Sequence, residues 1–180
     1  MFSNFVFGQL NNRIDKSQRN SLLSSPFNTA KRMTKNLDVQ KKVRLNYIDI
    51  LDSLIRIKPA DTILICENYD DICFDCPAEY VRILCDTILI ELKRGSNGIY
   101  YEKNNKLLSE SFIDTEANFY GDFQILKKAI QKDGSWFLKP EKYGTDHCFD
   151  GGHDFYSVLY PDKVISSLYI RCWRIDMNAH

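Results

Sequence analysis

Residues 76–95 read CPAEYVRILCDTILIELKRG, and whether they run as a helix or as strand decides the architecture. Val81, Leu84, Cys85, Ile88, Leu89 and Leu92 recur at helical spacing, while Glu79, Arg82, Asp86 and Lys93 fall on the opposite side. Pro77 suits a first helical turn and Gly95 a stop. The spacing therefore predicts a helix from about residue 77 to 94. That reading removes the most nuclease-like string in the chain, Asp86-Thr-Ile-Leu-Ile-Glu91-Leu-Lys93. An acid followed by Glu-x-Lys holds Mg²⁺ only when Glu91 and Lys93 lie on one side of a strand. On a helix they point roughly 200° apart.

Upstream, residues 62–66 (TILIC) form a short apolar run that fits a buried strand. Before it, Val39, Val43, Tyr47, Ile50, Leu54 and Ile57 make one apolar stripe. Asp38 is placed as the N-cap of that helix, and Lys58-Pro59 as its end. Residues 1–36 are polar and basic, are broken by Pro26, and offer little to bury; they read as an arm with one short helix at most.

Downstream, residues 99–102 and 107–111 are expected as strands around the turn Lys103-Asn104-Asn105-Lys106, and residues 115–132 as a further helix. The tail ends in a hairpin, 154–160 and 164–175, around Pro161-Asp162-Lys163. Large side chains on both faces of its second arm indicate a strand covered on both sides or central in its sheet. The expected fold is α+β: three main helices on a mostly antiparallel sheet, ending in a long C-terminal hairpin, with a single domain over 37–180 behind the 1–36 arm.

Composition limits the function classes. The chain has 180 residues, 44% of them hydrophobic and 27% charged, which fits one globular domain. No apolar run reaches the ~20 residues needed to cross a bilayer, and the start lacks the layout of a cleavable signal. A cytoplasmic protein with reduced thiols is the expectation. Net charge is zero, but its distribution is uneven. Residues 1–60 carry 11 Lys/Arg against 4 Asp/Glu, and residues 61–180 carry 13 against 20. Asp61 to Glu79 holds six acids and no base.

Two cysteine-based sites are weighed. Cys73-Phe-Asp-Cys76 sits after a strand and before the predicted helix, where a thioredoxin-like dithiol would sit. It has Phe74 and Asp75 between the thiols instead of the Gly-Pro of thioredoxins, and Asp70, Asp71 and Asp75 oppose thiolate formation. Alternatively Cys73 and Cys76 could share a metal with ligands drawn from His147, Cys148 and His153, although the second group lacks a strict ligand spacing. Cys66, Cys85 and Cys172 lie in apolar runs and read as small core residues. The basic segment (Arg13, Lys16, Arg19, Lys31, Arg32, Lys35, Lys41, Lys42, Arg44) could meet phosphate, but base-stacking aromatics beyond Phe27 are missing and a solvated helix face explains Lys41 to Arg44.

Surface recognition is favoured over catalysis. Glu67, Tyr69, Asp70, Asp71, Phe74, Asp75 and Glu79 form an acidic, aromatic-containing stretch suited to a basic protein partner. No cofactor, membrane or nucleic acid is implied. Residues 149–160, FDGGHDFYSVLY, with 167–173, SLYIRCW, resemble the closing hairpin of small uncharacterised bacterial proteins of the toxin-immunity kind. The resemblance implies an inhibitor of a basic toxin or nuclease and assigns no functional residue. The competing expectation is a metal- or thiol-dependent enzyme using Cys73, Cys76, His147, Cys148 and His153.

Overall fold

The computed structural model describes residues 3–25, 31–70, 73, 75–107, 152–162 and 164–171. These form three α-helices, α1 (Ser3–Leu23), α2 (Met33–Val43) and α3 (Ile48–Ile57), with a 3-10 turn at Arg44–Asn46. Six strands follow: β1 (Ile63–Tyr69), β2 (Tyr80–Cys85), β3 (Ile88–Arg94), β4 (Tyr100–Leu107), β5 (His153–Leu159) and β6 (Ile165–Arg171). They make one antiparallel sheet in the order β4-β3-β2-β1-β5-β6. The α+β class and the closing hairpin (β5–β6) match the sequence expectation. Among the described residues no helix is long and apolar enough to cross a membrane.

The segment 76–95 departs from its predicted helix. It is the β2–β3 hairpin, turned over Asp86-Thr87, with Cys85 opposite Ile88 and Arg82 opposite Glu91. Asp86 takes the left-handed φ of 53° that opens this two-residue turn. The helical spacing arose because both faces of the sheet are buried. Val81, Ile83 and Cys85 join the core that also holds Ile14, Leu37 and Leu51 from the helices. Leu84, Leu89, Leu64 and Val158, on the opposite face, are buried too. A strand buried on both faces is a continuous apolar run, and such a run satisfies a 3.6 period as readily as a period of two. The β-branched Val81, Ile83, Ile88 and Ile90 were the available signal for strand.

Three further elements differ. The stripe from Val39 to Ile57 is two helices, and α2 begins at Met33, so Asp38 lies inside a helix and caps nothing. The 3-10 turn between them aims Arg44 and Tyr47 at β1. The predicted 103–106 turn is continuous strand; β3 and β4 are joined instead through Gly95 to Ile99, with Gly98 at φ 77°. An extra residue on β4 shifts the register between Glu91 and Leu92. The expected 115–132 helix lies outside the described residues.

The basic N-terminal segment contains far more than one short helix. α1 spans 21 residues, and Asn11, Ile14, Asp15, Gln18 and Leu22 face inward at helical spacing. α2 repeats that spacing with Met33, Asn36, Leu37 and Gln40, and Arg44 follows in the next turn. Half of each inward stripe is polar, so a search for apolar periodicity passes over it. α1 and α2 therefore meet the sheet through hydrogen bonds as much as through apolar contact.

Candidate functional site

At the centre of the helix–sheet interface lies Glu67, in the middle of the sheet on β1, with its side chain fully buried. Arg44 reaches it from the 3-10 turn, donating from Nε to Oε1 at 2.8 Å and from Nη2 to Oε2 at 2.9 Å. Gln18 donates to Oε2 at 2.7 Å, Gln40 to Oε1 at 3.0 Å, and the Tyr47 hydroxyl to Oε1. Arg44 also donates from Nη1 to Asn11 Oδ1 (3.0 Å) and from Nη2 to Gln18 Oε1 (2.7 Å), so four of its five N–H groups are engaged. A buried ion pair is tolerable only when its surplus donors and acceptors are satisfied in this way.

The electrostatics follow from that geometry. Burial pushes the Glu67 carboxyl upward, but the Arg44 charge and the hydrogen bonds from Arg44, Tyr47 and Gln18 outweigh it and bring it to about 2. Burial, and then the charge on Glu67, hold the Tyr47 and Tyr69 hydroxyls well above their ordinary value. Tyr100 is raised for the same reasons. Near neutral pH these phenols are neutral donors and Glu67 is a carboxylate. The cluster is sealed, and what it does is join α1, α2 and the 3-10 turn to β1.

The cluster continues into the loop between β1 and β2. Gln40 Oε1 accepts from Ala78 N at 2.8 Å. Tyr100 Oη lies 2.5 Å from Ala78 O and 3.1 Å from Gln40 Oε1. One turn earlier on α2, Asn36 Nδ2 donates to the carbonyls of both Cys73 (3.0 Å) and Cys76 (2.9 Å). Cys73 and Cys76 are disulfide-bonded, with Cα atoms 5.6 Å apart. They are not the reduced pair expected from the sequence, and no helix N-terminus follows them. Asp75 sits between them at φ 66°, a left-handed conformation uncommon outside Gly.

Several predicted site residues are relocated. Glu67 and Tyr69, expected on a contact surface, are 0% and 1% exposed and lie beneath the loop. Asp70 and Asp75 are exposed and Glu79 half-buried, while Asp71 and Phe74 lie outside the described residues. Three acids of the 61–79 run have cations beside them: Asp61 has Lys58 at 3.8 Å, Glu67 has Arg44, and Asp75 has Lys35 at 3.8 Å. Arg44, expected on a solvated face, is fully buried. The polar cluster itself was missed; the clues were a lone Glu in the apolar strand ILICENY and polar residues at core spacing on α1 and α2.

His153 is buried on β5, with Nδ1 2.6 Å from Tyr169 Oη and Nε2 2.9 Å from Arg171 Nη1. Arginine only donates, so Nε2 accepts and Nδ1–H donates to the tyrosine. Both ring nitrogens are engaged, and His147 and Cys148 lie outside the described residues. Among the described residues no three His, Cys, Asp or Glu side chains cluster as metal ligands. Cys66 and Cys85 are buried thiols outside any disulfide, and burial pushes the Cys85 thiol up to about 11.

The Asp86/Glu91/Lys93 string lies on strand and turn, not on a helix. On β3, Glu91 and Lys93 do share a face, so the helical objection falls. Asp86, however, lies in the turn, roughly 15 Å along the strand from Glu91. Glu91 pairs with Arg82 at 3.6 Å, and Lys93 stands over the Tyr80 ring at 5.3 Å. The three side chains do not converge on one ion. Comparison with protein-family models, curated proteins and solved structures returns no match.

Proposed function

We propose that this chain is a binding protein that meets a basic protein partner through the β1–β2 loop, as an immunity-type inhibitor of a basic toxin or nuclease would. The observation that carries the reading is the way the described part of this loop, Cys73 and residues 75–79, is fixed. Asn36 holds two carbonyls, Gln40 holds Ala78 N, Cys73 is bridged to Cys76, and Asp75 is kept left-handed. Residues already anchored lose less entropy on association, and recognition residues concentrate on loops set on rigid scaffolds. Asp70 and Asp75 stand exposed on it. Lys35, 75% exposed opposite Asp75, makes the kind of weak surface pair that a stronger cation displaces.

The test is calorimetric titration with the protein products of the genes flanking this chain's own, at low and at physiological salt. The expected result is a salt-sensitive complex that Asp70→Asn together with Asp75→Asn weakens roughly tenfold, the scale of one charge-assisted contact. A complex indifferent to both substitutions, or no complex, refutes the reading.

A further inference from the structure

A second feature lies at the opposite end of β1 from the loop. A pocket of about 390 Å³ opens between α1, α3 and the β5–β6 turn. The row Ile63–Leu159–Ile165, paired across β1, β5 and β6, contributes to its wall, and Leu10 of α1 and Ile55 of α3 line it as well. Its size falls in the range of small-molecule sites, ~300–1,000 Å³, and its apolar body with a few polar groups at the rim is their usual chemistry.

The rim charges decide what would enter. Asp52 is paired with Arg56 at 2.9 Å. Lys58 is shared between Asp61 at 3.8 Å and Asp86 at 3.4 Å. Arg13 lines the same pocket, is exposed, and has no ion-pair partner among the described residues. Gln9, one helical turn earlier on the same side of α1, adds an amide at the rim. The pocket thus joins an apolar interior to a guanidinium with no ion-pair partner among the described residues, a group that takes carboxylates in bidentate fashion, while the second carboxylate on Lys58 leaves the rim without net charge. We infer that it binds a small amphipathic carboxylate, with the apolar chain against Ile63, Leu159 and Ile165 and the carboxylate on Arg13. The β1–β2 loop takes no part, so this site stands or falls apart from the function proposed above.

Octanoate, octanol and octyltrimethylammonium, titrated into the full chain and followed by amide chemical shifts, test it. Octanoate should saturate at one site, with shifts centred on Leu10, Ile55 and Ile165, and bind roughly tenfold tighter than octanol. Arg13→Gln should bring octanoate down to the octanol level and leave octanol unchanged. Arg13 is exposed, so this variant keeps the fold. Ile165→Trp, which fills the cavity, should remove both. Octanol or the cation binding as tightly as octanoate, an Arg13→Gln variant with unchanged octanoate affinity, or shifts scattered over the molecule would overturn the assignment.

Discussion

Replacing Glu67 by Gln keeps its shape and removes one charge from the most enclosed point of the molecule. In the native cluster Oε1 receives Arg44 Nε, Gln40 Nε2 and Tyr47 Oη, and Oε2 receives Arg44 Nη2, Gln18 Nε2 and Tyr69 Oη. Whichever way the new amide turns, its NH₂ faces donors, and Arg44 is left as a buried cation without its counter-charge. Breaking a buried pair from one side costs about 3–5 kcal/mol. The carboxyl, brought from an ordinary 4.5 to about 2, gives a similar figure through linkage, roughly 3 kcal/mol. For a chain of this length that lowers Tm by roughly 10 °C.

The same shift fixes the pH dependence. The folded carboxyl titrates below the unfolded one, so its contribution is complete above about pH 4.5 and is lost as pH falls toward 2. Urea and thermal unfolding followed by circular dichroism, from pH 7 down to 3, would measure both effects. The native chain should lose stability across the acid range, and Glu67→Gln should start lower and show a shallower slope there. Arg44→Met combined with Glu67→Leu should cost less than the two single changes added, since no lone charge remains. A Glu67→Gln variant within about 1 kcal/mol of the native chain, or one with an unchanged acid slope, would refute this account of the cluster.

Two backbone positions give independent checks by the same unfolding measurements. Asp86 opens the β2–β3 turn at φ 53°, where an L-residue is strained and glycine is not. Asp86→Gly should therefore stabilise by roughly 0.5–1 kcal/mol despite losing the exposed 3.4 Å contact to Lys58; a destabilised variant would show the turn to be differently built. Gly152 packs so closely that a Cβ would meet Tyr69 O at 2.9 Å and Asn68 Nδ2 at 3.1 Å. Since the Tyr69 carbonyl is backbone, Gly152→Ala should destabilise by about 1–3 kcal/mol, and a neutral result would place β5 farther from β1.

Local pattern alone determined that this chain is α+β, that residues 62–66 are a buried strand, and that it carries a hairpin around Pro161. Each rests on runs of apolar residues whose burial is fixed by composition, whatever the rest of the chain does. It could not separate helix from strand at 80–94. A sheet buried on both faces erases the alternation that distinguishes them, and only the pairing of Arg82 with Glu91 and of Val81 with Glu67 settles the matter. Nor could it place α1, whose inward stripe mixes Ile14 and Leu22 with Asn11 and Gln18, which become core only against Arg44, and with Asp15, which meets Arg19 and Lys41. The acid Glu67 reads as surface in the sequence because its counter-charge lies 23 residues away. Tertiary structure decides such a residue, since a carboxylate is buried only where folding delivers a cation and enough donors to replace water.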